Sequence, residues 1–74
     1  MLVKMEVYQD EDEMWCARGI GQDIFTQGET ADELFQNIRE AVALHFENGK
    51  PAPEIDILVV SELRLLPHAP AASN

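Results

Sequence analysis

The fold is decided by residues 25–42, which read FTQGETADELFQNIREAV. This stretch has the form of a short strand, a glycine turn and an amphipathic helix. Thr30 is followed three residues later by Glu33, a capping box in which each side chain can satisfy a backbone amide of the first turn. At about 100° per residue, five side chains that follow share one largely apolar stripe, namely Leu34, Ile38, Ala41, Val42 and His45. The sequence predicts a helix from Ala31 to Glu47, capped by Asn48-Gly49.

The segments on either side of this helix predict strands. Residues 2–8 alternate between apolar and polar side chains, which is typical of a half-buried strand. Residues 14–18 return as a second strand, with Trp15 and Ala17 expected on the core face, and residues 24–27 form a third. Residues 55–66 form a last strand that is apolar on both faces, which is typical of a central strand or of one covered by a partner.

The predicted order is therefore β-β-β-α-β, a single small α+β domain with a four-stranded mixed sheet and one helix on one face. The three hairpin-connected strands pair antiparallel, and the helical crossover returns the fourth strand parallel to its neighbour. We assign the domain to residues 1–66 and a flexible tail to residues 67–74. Because one helix covers only one sheet face, we expect a homodimer or higher homo-oligomer, with Leu58 and Val60 at the interface.

The charge balance narrows the classes of partner. Fourteen acidic residues stand against five basic ones, a formal net charge of −9 over 74 residues. Nucleic-acid binding depends on Lys and Arg contacts to phosphates, so direct binding of DNA or RNA is not expected. A basic protein partner is the natural complement, and the alternative is that the acidity only keeps a small protein soluble. The sequence shows neither a signal peptide nor a run long enough to span a bilayer, so we expect a cytoplasmic protein without membrane contact.

Three features could carry chemistry, and each has a structural explanation. An EF-hand loop counted from Asp10 would need a glycine where Trp15 stands and a glutamate where Gly21 stands, so we expect a solvated turn and no metal. Cys16 has no neighbouring histidine and is expected to pack as a small apolar residue. His45 is expected to be a partly exposed structural histidine near the helix end. We therefore expect no catalytic residue, no cofactor and no enzymatic activity.

The chain resembles the HicB-like antitoxin family, small proteins with a partial ribonuclease-H-like fold. Residues 25–30 match the family's Phe-Thr-Gln-Gly-Asp-Thr turn nearly residue for residue, and residues 37–41 match its Asn-Ala-Arg-Glu-Ala helix core. The acidic run after Gln9 and the Met14-Trp15-Cys16-Ala17 strand resemble the family's hairpin. The chain departs from the family in its Gly19–Asp23 loop, which replaces the family's Pro-Asp-Leu-Pro-Gly stretch and bears on the choice of partner.

This resemblance implies an antitoxin that binds a small basic HicA-type toxin and occludes its active site and RNA surface. The toxin would be an enzyme that cleaves mRNA, and the acidic surface would stand in for RNA phosphates. The candidate partner-binding residues are Asp10, Glu11, Asp12 and Glu13. The alternative is a solitary oligomeric domain with a structural or regulatory role and no toxin partner.

Overall fold

The computed structural model describes residues 1–47 and 54–61. The chain forms the strands β1 (Leu2–Gln9), β2 (Trp15–Gly19) and β3 (Phe25–Gly28), the helix α1 (Ala31–His45) and the strand β4 (Asp56–Ser61). The strands make one mixed sheet in the order β3-β2-β1-β4. The predicted α+β fold with the order β-β-β-α-β is confirmed. Within the described residues no helix is long and apolar enough to cross a membrane.

The register of the sheet fixes which side chains share a face. β1 and β2 are antiparallel, with Val7 opposite Ala17, and β2 pairs antiparallel with β3. β4 runs parallel to β1, with Val3 beside Ile57, as the helical crossover predicted. Because residues that pair across strands point to the same side, Val3, Val7, Ala17 and Ile57 all face α1.

The core lies between this sheet face and α1. Its buried side chains alternate along β1 and recur at every fourth residue along α1, the two periods expected of a strand and of a helix. They are Val3, Met5 and Val7 from β1 and Leu34, Ile38 and Val42 from α1, joined by Ala17 and Ile24. Trp15 packs against this cluster as a partly buried side chain, so the predicted core face of β2 is confirmed.

The start of α1 differs slightly from the predicted capping box. Thr30 is the N-cap, and its hydroxyl accepts a hydrogen bond from the Glu33 amide at 3.1 Å. The Glu33 carboxylate accepts from the amide of Glu29 at 2.9 Å, one residue before the cap. Both predicted side chains therefore stabilise the helix start, and the second bond also holds the turn between β3 and α1.

The predicted helix end is wrong by two residues. α1 ends at His45, and Phe46 is the C-cap, its amide bonding to Val42 and Leu44 carbonyls. His45 is exposed, not part of the buried stripe, because Phe46 packs against the core in this last turn and its ring stands edge-on to the imidazole at 4.9 Å. The predicted Asn48-Gly49 cap lies outside the described residues.

The observed starts of β2 and β3 differ from the predicted starts by one residue. β2 begins at Trp15 and not at Met14, and β3 begins at Phe25, because Ile24 is buried in the core and its carbonyl closes the preceding loop onto Gly19. β4 is an edge strand of the described sheet, so a central position for this segment is wrong. The predicted extension over residues 62–66 and the tail at 67–74 lie outside the described residues.

Candidate partner-binding surface

The Asp10–Glu13 segment forms a tight turn between β1 and β2, organised by its first carboxylate. Oδ1 of Asp10 accepts hydrogen bonds from the amides of Asp12 at 2.8 Å and Met14 at 3.0 Å. The Glu13 amide donates to the Asp10 carbonyl at 3.0 Å, and the Asp10 amide donates to the Met14 carbonyl at 3.0 Å. Aspartate favours such turns because its short side chain reaches the amides that follow it.

The other three carboxylates of this turn point away from these bonds. Glu11, Asp12 and Glu13 are exposed, and none of their carboxylates accepts a hydrogen bond from the described residues. Glu13 adopts a φ of 63°, in the left-handed region, which completes the reversal of the chain. The turn therefore presents three negative groups to solvent on a backbone held by the fourth.

A second set of carboxylates lies at the same end of the sheet. Gln9 pairs with Trp15 and Trp15 pairs with Gly28, so the turn after β1 and the turn before α1 leave the sheet on one side. The second turn and the first turn of α1 carry Glu29, Asp32 and Glu33. We call these residues together with Asp10–Glu13 the acidic end. It holds seven of the fourteen acidic residues of the chain, and sequence reasoning identified only the first four as a candidate surface.

Cys16 lies beside the acidic turn, on the sheet face opposite α1. It is buried, and its sulfur is 3.9 Å from Oδ2 of Asp10 and 3.7 Å from the carbonyl oxygen of Met14. Burial raises the pKa of the Cys16 thiol, and the negative charge and hydrogen bond of Asp10 raise it further. The thiol therefore stays protonated near neutral pH, as expected for a packed cysteine and not for a nucleophile.

The sheet face opposite α1 combines one ion pair with exposed apolar side chains. Nε of Arg18 lies 2.7 Å from Oε1 of Glu6, and the guanidinium lies over the Tyr8 ring at 5.4 Å from its centre. The hydrogen bond that Arg18 donates to the Glu6 carboxylate raises the pKa of Arg18 above its ordinary value, and the charge of Glu6 adds to this. Leu58 and Val60 lie on this face at 45% and 42% exposure, on the edge strand and not on the acidic turn. The two predicted sets of contact residues therefore belong to different surfaces.

Sequence reasoning missed a groove between α1 and β4. The helix packs over β2 and β3 and leaves the inner face of β4 partly open. The groove has a volume of about 160 Å³ and is lined by Phe35, Ile38, Arg39, Ile57 and Val59. The sequence feature that could have indicated this groove was Phe35, which lies on the flank of the apolar stripe of α1. A wider depression of about 300 Å³ at the C-terminal end of α1 is lined by Asp23, Ile24, Phe25, Ala41, Leu44 and His45.

No three His, Cys, Asp or Glu side chains in the described part of the chain are arranged to hold a metal ion. In the acidic turn, one oxygen of Asp10 accepts hydrogen bonds from backbone amides, and the three neighbouring acidic residues are exposed. The acidic end can attract a positively charged partner and bind it over a broad surface.

The fold and its charges define a small acidic α+β domain whose carboxylates are concentrated at one end of the sheet. The chain is similar to a UPF0150 protein of Archaeoglobus fulgidus, with 38% identity over 42 residues, 57% of this chain and 64% of that protein. It is also similar to a UPF0150 protein of Thermotoga maritima, with 54% identity over 28 residues, 38% of this chain and 40% of that protein. The matched segments thus span less than two thirds of either relative. No family model and no solved structure matches the chain.

Proposed function

We propose that this protein is an antitoxin-like inhibitor that binds a small basic HicA-type mRNA-cleaving toxin and occludes its active site and RNA surface. The observation that carries the proposal is the acidic end, which is built on a fold of the expected order. The similarity to UPF0150 proteins supports it at the level of the family, because UPF0150 is the HicB-like family. The proposed role requires binding alone and no catalytic step by this chain.

The proposed mechanism is electrostatic replacement of RNA. An RNA-cleaving toxin binds phosphates through Lys and Arg, and a surface of carboxylates offers the same side chains an alternative set of anionic partners. Opposite charge accelerates encounter and selects the partner. Glu11, Asp12 and Glu13 extend from the turn and are the groups we assign to this contact.

The turn is well suited to such binding because its backbone is already ordered. Two side-chain bonds to Asp10 and two backbone bonds hold it in the free protein. A contact surface that is ordered before binding loses less conformational entropy when the complex forms. Asp10 is therefore assigned the role of positioning its three neighbours.

The test is co-expression with a HicA-type toxin, scored by rescue of growth and by recovery of a stable complex. The diagnostic variant combines Glu11→Gln, Asp12→Asn and Glu13→Gln. The matched control combines Asp23→Asn, Glu40→Gln and Glu54→Gln, which removes the same charge from exposed positions outside the acidic end.

At low salt we expect the diagnostic variant to associate with the toxin about tenfold or more slowly than the unmodified chain does. The control variant should slow this association less. An equal loss of association rate in both variants would mean that the net charge of the chain, and not the acidic end, recruits the toxin. Absence of both rescue and complex with the unmodified chain would refute the antitoxin function itself.

A second candidate is a solitary oligomeric domain with a structural or regulatory role. The observation that favours it is the exposure of Leu58 and Val60 on an edge strand. The two functions differ in the co-expression test, because a solitary domain neither rescues growth nor binds the toxin.

A further inference from the structure

The outer edge of β4 is an edge of the described sheet and has an apolar sequence. β4 pairs with β1 on one side, and its other side has no strand partner among residues 1–47 and 54–61. Four consecutive apolar residues, Ile57 to Val60, occupy this edge, and the last three are between 37% and 45% exposed. Natural edge strands usually carry lysine, proline or a bulge that blocks further pairing. The stretch Asp56–Ser61 contains neither lysine nor proline.

The direction of the backbone groups along this edge follows from one hydrogen bond. The Asp56 amide donates to the Met1 carbonyl at 2.8 Å, so Asp56 directs its backbone towards β1. Backbone groups alternate in direction along a strand, so Leu58 and Val60 also face β1. Ile57, Val59 and Ser61 therefore direct their amides and carbonyls outward, where a further strand would bind.

The charge distribution allows a second copy of the chain to cover this edge. Two molecules of net charge −9 repel each other, and they repel most strongly where the acidic ends approach. β4 carries one charged residue, Asp56, at its start. A basic partner is better matched to the acidic end, whereas two identical acidic chains can meet at the described β4 edge with few like charges in contact.

We propose that two copies pair through antiparallel β4 strands about a two-fold axis at Val59, joining both sheets into one. In this register Val59 pairs with itself, and Ile57 pairs with Ser61 of the second copy. All three outward-facing residues then exchange hydrogen bonds. A register centred on Leu58 would pair Ile57 only with Val59 and would leave Ser61 without a partner inside the strand.

The same register also brings apolar side chains of the two copies together. Leu58 lies opposite Val60 of the second copy on the face away from α1, so four apolar side chains become contiguous there. Both helices lie on the other face. An interface limited to six-residue strands and their flanking side chains falls near the lower end of specific interfaces, about 1,200 Å² in total, so we expect dissociation in the micromolar range.

The register is tested by disulfide trapping in a Cys16→Ala background, which removes the natural thiol. Leu58 and Val60 of the two copies form a non-hydrogen-bonded pair with Cα atoms about 4.5 Å apart, a separation that a disulfide accepts. An equimolar mixture of Leu58→Cys and Val60→Cys chains should give a crosslinked dimer on mild oxidation. Each variant alone should crosslink at most a tenth as much, because like residues are then diagonal, about 7–8 Å apart.

The association is tested on the unmodified chain by sedimentation equilibrium from about 1 to 500 μM. A dimer mass at high concentration is expected. Leu58→Glu combined with Val60→Glu should weaken association at least tenfold, while Phe25→Glu, on the opposite edge strand and 58% exposed, should not. A monomer mass throughout, or weakening by Phe25→Glu alone, would overturn the proposal. Self-crosslinking of Leu58→Cys would overturn the register. Since no toxin is present, these results are independent of the proposed function.

Discussion

Replacing Asp10 should separate the folding of the acidic turn from its charge. Asp10→Ala removes the acceptor of two backbone hydrogen bonds, from Asp12 at 2.8 Å and Met14 at 3.0 Å. Asp10→Asn keeps a carbonyl oxygen that can occupy the Oδ1 position and removes only the charge. The difference between the two variants therefore isolates the hydrogen bonds.

The expected magnitudes follow from the exposure of the turn. Water can solvate the two released amides. The stability lost should therefore resemble that lost when a helix N-cap is removed, about 0.5–2 kcal/mol, and not that lost with a buried hydrogen bond. Removing one of four adjacent carboxylates relieves some repulsion and offsets part of this cost. We expect Asp10→Ala to lower the free energy of unfolding by about 1 kcal/mol and Asp10→Asn by less than about 0.5 kcal/mol.

Both variants should also change the reactivity of Cys16. Burial raises the pKa of this thiol, and Asp10 adds to the increase through its charge and its hydrogen bond. Without the Asp10 charge the thiol pKa falls towards its ordinary value, and more thiolate is present at a given pH. Alkylation of Cys16 by iodoacetamide at pH 8 should therefore be faster in Asp10→Asn than in the unmodified chain.

The assays are urea unfolding, read from the midpoint at constant slope, and alkylation followed by mass spectrometry. Asp12→Asn serves as the control, because it removes the same charge from a carboxylate that makes no contact with the thiol. The reasoning is refuted if Asp10→Ala and Asp10→Asn are equally stable, or if Asp12→Asn accelerates alkylation as much as Asp10→Asn.

Four further perturbations test the fold by urea unfolding. In Gly28→Ala the new Cβ would lie 2.7 Å from the Leu34 amide nitrogen, so we expect a loss of about 1–3 kcal/mol. Gly21→Ala meets no atom within 4 Å but sits at φ +80°, so the expected loss of about 1–2 kcal/mol is of backbone origin. Thr30→Ala removes the N-cap bond and should cost about 1 kcal/mol, and Thr30→Ser should restore it. Because the Cys16 pKa is raised in the folded protein, its contribution to stability is complete below the unfolded thiol pKa and is lost as pH rises through the folded value. The urea midpoint should therefore fall between pH 8 and 10 more in the unmodified chain than in Cys16→Ala.

The features that sequence predicted best are those set by neighbouring residues. The cap at Thr30 and the alternation of Val3, Met5 and Val7 depend on contacts within a few positions of each residue, and both appear in the structure. The parallel placement of β4 was also accessible, because a helical crossover leaves few other arrangements for the strand that follows it.

The features that sequence missed depend on how distant elements lie against each other. Periodicity gives the apolar face of α1 but not its position across the sheet. The helix lies over β2 and β3, so Phe35 lines a groove at β4 and remains 42% exposed. His45 was misplaced for a similar reason, since the last turn packs Phe46 against the core as a partly buried side chain and leaves the imidazole exposed. The other three residues of the acidic end were recognised only when the register of β3 placed Glu29 at the same end of the sheet as Asp10.

The apolar character of β4 on both faces had two sequence-level explanations, a central strand or a strand covered by a partner. The strand order places β4 at the edge of the described sheet, which argues against the first explanation, and the proposed dimer corresponds to the second. An antiparallel two-fold at Val59 is also compatible with the proposed binding of a toxin. It directs the acidic end of one copy towards one end of the joined sheet and that of the other copy towards the opposite end. This separation keeps the repulsion between the two clusters of carboxylates low, and each cluster remains open to a basic partner.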